Sequence, residues 1–104
     1  MSKITTRMKR HVRHVLKDEN PTIWVGKEGL TYPLTAEIEK QLQRSKMVKV
    51  KILPAALQGE VTAQAIGVNA AEQTNSALVE VRGHVFILFR KRKSEEPDEP
   101  EPKA

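Results

Sequence analysis

Four consecutive apolar residues near the end of the chain, Phe86, Ile87, Leu88 and Phe89, constrain its fold most. An unbroken apolar run in a strand means cover on both faces over part of its length, because successive side chains point to opposite sides. A single helical layer cannot satisfy such a strand. The expectation is a sheet with helices on both faces, the first helix supplying one of the covers. The run is reached from Leu78–Arg82 through Gly83 and His84, which reads as a tight hairpin into a strand Val85–Arg90.

Upstream, Ile4, Met8, Val12, Val15 and Leu16 recur at helical spacing, predicting a helix from Thr5 or Thr6 to about Asp18. Lys3, Arg7, Arg10, His14 and Lys17 recur on another face, with Lys9 and Arg13 alongside. Like charges stacked at these spacings cost stability unless a counter-ion meets them, so the face is either solvated or directed at phosphate. Asn20 and Pro21 end the helix, and Ile23–Val25 follows as a short central strand in which Trp24 is expected to pack rather than stack.

That strand leads into Gly26, Lys27, Glu28 and Gly29, then Thr31, Tyr32 and Pro33. Two glycines framing a lysine let the backbone lie close to another surface, and Thr31 or Tyr32 as N-cap with Pro33 opens a helix whose free N–H groups point toward the loop. The GXXG arrangement suits a phosphodiester clamp and also occurs in plain strand-to-helix turns. Leu34, Ile38 and Leu42 mark the second helix to Ser45, with Glu37, Glu39, Lys40 and Arg44 expected to be solvated. Met47–Leu53 alternates, with Val48, Val50 and Ile52 on one face and Lys49 and Lys51 on the other; a cross-strand charge ladder with Glu80 and Arg82 would contribute roughly a few tenths of a kcal/mol per pair. A third helix is predicted from about Gln58 to Thr74, with Val61, Ala65, Val68 and Glu72 in register and Gly67 weakening it. The order is α-β-α-β-α-β-β, an α/β domain over residues 1–93.

The chain's net charge of +5 divides into −4 on residues 94–104, where five acids face Lys103, and +9 on the remainder. A body this basic favours polyanions, either nucleic acid or an anionic surface. The tail Ser94, Glu95, Glu96, Pro97, Asp98, Glu99, Pro100, Glu101, Pro102 has nothing apolar but proline to bury and is expected to be disordered. There is no cysteine, hence neither disulfide nor thiolate chemistry, and no apolar run reaches the roughly 18 to 20 residues of a membrane span. A soluble, cytoplasmic protein is expected.

Taken in order, the basic helix, the run Val25–Thr31, the Glu37-Ile38 helix, the strand Val48-Lys49-Val50-Lys51-Ile52, and the ending Arg82-Gly83-His84 through Phe89-Arg90 resemble a stand-alone CRM domain, the chloroplast RNA splicing and ribosome maturation module, over about Thr6 to Lys91. The resemblance implies a mixed four-stranded sheet with three helices, similar to the C-terminal domain of translation initiation factor three. It also implies RNA binding without catalysis, with ribosomal RNA in large-subunit precursors as partner. Carried over by position, Gly26, Lys27, Glu28 and Gly29 match the RNA-contacting loop, Arg7, Arg10, Arg13, His14 and Lys17 the basic surface, and Arg90 the arginine closing the last strand. Two departures stand out. Ser45, Lys46 and Met47 replace a frequent His-Glu-Leu and make that face more basic, and Thr74, Asn75 and Ser76 replace a usual Thr-Gly-Ala and put the turn there in question.

No cofactor or metal is expected. His11 and His14 lie three apart on a cationic helix without further donors, and His84 sits alone in a turn. The Gly26 loop is not a nucleotide-binding P-loop, since Glu28 follows its lysine, and neither a nucleophile triad nor a buried carboxylate pair is suggested. Two other classes are considered: a protein-interaction adaptor working through the acidic tail, and a DNA-binding protein, for which no recognition helix is evident.

Overall fold

A computed structural model describes residues 5–90. The tail expected at 94–104, the domain limits at 1 and 93, and Lys3 and Ile4 of the first helix lie outside the described residues. The elements are α1 (Thr6–Leu16), β1 (Ile23–Val25), α2 (Tyr32–Ser45), β2 (Met47–Ile52), a short 3-10 turn (Pro54–Ala56), α3 (Ala63–Gln73), β3 (Ala77–Arg82) and β4 (Val85–Phe89). The strands form one sheet in the order β1-β2-β4-β3, with β1 parallel to β2 and the other pairs antiparallel.

The doubly covered strand is β4. Phe86 and Leu88 enter a core shared with Ile38 and Leu42 of α2 and Ile66 and Ala70 of α3. Ile87 and Phe89 enter a second core with Val12 and Leu16 of α1 and Val79 of β3. Helix α1 therefore covers the opposite face from α2 and α3, and β4, between β2 and β3, is buried on both faces by these two layers.

Threonines cap all three helices. The Thr5 hydroxyl accepts from the Met8 N–H at 3.1 Å, Thr31 from Leu34 at 3.4 Å, and Thr62 from Ala65 at 3.1 Å. Such caps hold one N–H left unpaired by the first turn, typically for about 1 kcal/mol. Helix α1 stops at Leu16, short of Asp18.

Helix α3 departs from the sequence reading in both start and face. It begins at Ala63, and the side turned to the sheet is Ile66, Gly67, Ala70 and Ala71, while Val61 and Val68 are exposed. Small residues hold this position because the helix lies close to β3 and β4: a Cβ on Gly67 would sit 3.1 Å from Leu78 Cδ1 and 3.5 Å from Phe86 Cγ. Gly67, which costs helix propensity, is what admits the approach.

Three further expectations change. Trp24 is not in a central strand, since β1 is an edge, and its side chain is 52% exposed. Lys49 and Lys51 face Ile87 and Val85 of β4, so β3 with Glu80 and Arg82 is one strand too far for a cross-strand ladder. Glu39 is not simply solvated, because the Arg90 guanidinium grips it with bonds of 2.9 and 2.6 Å. The questioned turn after α3 forms without glycine. Asn75 takes the left-handed φ of 53°, the Thr74 hydroxyl donates to the Ala70 carbonyl at 2.7 Å, and Thr74 and Ser76 share a buried hydroxyl pair at 2.8 Å.

Candidate nucleic-acid interface

The apolar stripe of α1 faces the sheet, so its cations fall on the flanks. Arg10, Arg13, His14 and Lys17 line one wall of a groove of about 490 Å³ whose other wall is sheet, with Lys49, Glu80 and Arg82 among its residues. Arg7 is exposed one turn before Arg10 and does not line the groove, and Lys9 turns to the opposite flank. Glu80 is the acid within this basic cleft. One carboxylate oxygen lies 3.3 Å from Arg13 Nε and the other 3.4 Å from Arg82 Nε. One negative charge thus steadies two guanidinium groups on opposite walls and leaves their remaining N–H donors for a ligand.

Lys49 has a different task. Its ammonium donates to the Leu16 carbonyl at 2.9 Å and the Glu19 carbonyl at 2.8 Å. Those acceptors belong to the end of α1 and the loop after it, where carbonyls lack intrahelical partners and the helix dipole is negative. The lysine pins the end of the basic helix to the sheet.

The glycine loop leaves the sheet directly after β1. It is closed by the Gly29 N–H donating to the Gly26 carbonyl at 2.9 Å, and Gly29 has a φ of 73°. Gly26 has no positive φ, and a Cβ there would meet nothing within 4 Å. Lys27 and Glu28 are exposed. The Leu53 N–H donates to the Val25 carbonyl and the Ile52 N–H to the His84 carbonyl, so the loop and the β3–β4 turn lie at one end of the sheet.

A row that the sequence did not make evident runs from the strand before the loop into the groove. Strand register aligns Trp24 with Lys51, Lys51 with Val85, and Val85 with Arg82. All four point to the α1 side, since their neighbours along the strands point into the α2–α3 core. Trp24, Lys51 and Arg82 are exposed and Val85 is half-buried, and Val85 and Arg82 belong to the sheet wall of the α1 groove. Four strands span about 14 Å at the usual interstrand spacing. The available signal was parity, because Trp24 alternates with the inward Ile23 and Val25, but an apolar triplet reads equally as a fully buried strand.

Arg90 stands apart from these groups. It donates to both oxygens of Glu39 and to the Thr74 carbonyl, and its Nε is buried without a partner. The Glu39 carboxyl is held below its ordinary range, chiefly by the Arg90 hydrogen bonds, with partial burial opposing and the Arg90 charge and Gln43 amide assisting. Arg90 therefore ties the end of β4 to α2 and to the C-terminal end of α3. Among the described residues no cluster of His, Cys, Asp and Glu is suited to a metal, and no helix is long and apolar enough to cross a membrane.

The CRS1/YhbY (CRM) domain pattern matches residues 4–90. The chain belongs to this family. The chain is similar to an RNA-binding protein of Haemophilus influenzae, 31% identical over 90 residues, covering 86% of this chain and 88% of that protein. A protein of Methanocaldococcus jannaschii, named a probable RNA-binding protein, is 38% identical over 90 residues, and the match spans 86% of this chain and 66% of the archaeal one. The fold is similar to that of a hypothetical Staphylococcus aureus protein solved in solution, with a TM-score of 0.72 at 23% identity, over 88% of this chain and 92% of that one.

Proposed function

We propose that this CRM protein binds structured ribosomal RNA in the cytoplasm, without catalysis, and assists maturation of the large ribosomal subunit. The observation that carries the reading is the convergence of cations from distant parts of the chain on one side of the sheet. Arg10, Arg13 and Lys17 come from α1 and Arg82 from β3, while Lys27 on the loop and Arg7 at the start of α1 extend the set. The names of the two relatives support RNA as the polyanion, and the family resemblance supports ribosomal precursors. A groove that presents charge and few base-reading groups favours recognition by shape and phosphate position.

Loop and groove have separate roles in this reading. Gly26 and Gly29 let the backbone approach a phosphodiester while Lys27 supplies charge, and the arginines steadied by Glu80 grip phosphates further along. The Arg90 guanidinium, engaged by Glu39 and Thr74, acts on RNA only by holding the domain together.

About six Lys and Arg side chains meeting phosphate give a slope of log affinity against log salt of about −4 to −5. Affinity independent of salt would exclude the reading. Crosslinking in cells followed by sequencing of the attached RNA tests the ribosomal part: enrichment of large-subunit precursor RNA is expected, and reads dominated by messenger RNA would overturn it.

A further inference from the structure

We propose that the β1 end of this sheet row, where Trp24 stands exposed on the edge strand, is a stacking platform for an unpaired RNA base. The inference rests on the RNA-binding reading above and adds to its phosphate contacts a second, charge-independent kind.

Trp24 is the chain's only tryptophan, and 52% of its surface is exposed on a three-residue edge strand. Its neighbours on both sides in the sequence, Ile23 and Val25, are 3% and 0% exposed. The core is therefore complete without the indole, and nothing in the packing of β1 calls for an aromatic ring at this outward position. The surroundings are cationic, with Lys51 beside it in register on β2 and Arg82 at the far end of the same row. Lys27 lies three residues further along the chain, in the loop.

This combination identifies the occupant. An exposed indole on a rigid strand, within a positively charged track, matches how single-stranded nucleic acid is held: bases stack on aromatic faces while cations follow the phosphates. Duplex RNA keeps its bases stacked on one another and offers the indole no face. The row runs from the α1 groove, which its Val85 and Arg82 line, to Trp24 on the strand that leads into the glycine loop, so a strand gripped by both would pass over Trp24. The occupant is therefore a nucleotide unpaired between two phosphate-gripped segments, as in a loop or bulge of structured RNA.

The test uses the full chain with a labelled stem-loop RNA and a blunt duplex RNA of equal nucleotide number. Anisotropy reports binding and Trp24 emission reports stacking. The stem-loop is expected to quench the emission and the duplex to bind without quenching. Trp24→Ala should weaken stem-loop binding roughly five- to a hundredfold, leave duplex affinity and the salt slope unchanged, and be largely rescued in Trp24→Phe. Stem-loop binding with unaltered Trp24 emission, or with equal affinity in Trp24→Ala, would overturn the platform and leave the phosphate reading standing. Absence of binding to either RNA would overturn both. If Trp24→Ala fails to fold, emission in the unmodified chain and the affinity of Trp24→Phe decide the matter.

Discussion

Lys49 and Leu16, 33 residues apart in the chain, are joined by a 2.9 Å hydrogen bond from the lysine ammonium to the leucine carbonyl. The cation at the centre of the strand predicted to carry a charge ladder instead closes the C-terminal end of the basic helix. Its charge serves the position of other charges, because the groove's helical wall is only as fixed as the end of α1.

Removing that pin has a defined consequence. Lys49→Met keeps the aliphatic stem but loses both donors, and is expected to destabilise the domain by about 1–2 kcal/mol. Hydrogen exchange should accelerate most at the amides of the last turn of α1. Uniform acceleration across the sheet instead would mean that Lys49 contributes only to global stability.

The two glycines of the loop separate by conformation. Gly29 has a φ of 73°, so Gly29→Ala should cost about 1 kcal/mol. Gly26→Ala has open space and no positive φ, and should alter the urea midpoint little. If the loop backbone lies against phosphate, Gly26→Ala nonetheless weakens RNA binding, since the added methyl occupies the approach. Unchanged affinity would remove Gly26 from the contact.

Helix α3 offers a test of its corrected face. Gly67→Val drives two methyl-sized branches toward Leu78 and Phe86 and should cost about 1–3 kcal/mol from overpacking alone. Val68→Ala, on the exposed side, should stay within about 0.5 kcal/mol. Chemical denaturation of the pair distinguishes this register from the one suggested by the valines.

The Glu39–Arg90 pair predicts a pH dependence. A carboxyl held below its ordinary value of 4.5 contributes stability that is fully present above that value and is lost as pH falls through the lowered folded value. Glu39→Gln should cost on the order of 1 kcal/mol near neutral pH, a figure discounted because the carboxylate is 39% exposed. In acid the mutant and the original should converge. Denaturation midpoints followed from neutral to acidic pH check this, and a constant gap between the two proteins would assign the effect to packing.

Element order, strand alternation in β2, the double cover of β4 and the capping threonine before α2 were legible along the chain, because each depends on residues a few positions apart. The helical spacing of Val12 and Leu16 and the β2 alternation of Val48, Val50 and Ile52 determine which side of each element is apolar wherever it is placed. The α3 face was misread because two exposed valines carry more hydrophobic weight than the glycine and alanines that make close packing possible. Tertiary structure alone decided the partners. Placing β4 between β2 and β3 denied Lys49 its ladder and left it to the end of α1, and an edge position for β1 left Trp24 outside. Local pattern fixes how a side chain alternates, whereas strand order and helix placement, set by contacts between residues far apart in the chain, determine what that side chain meets.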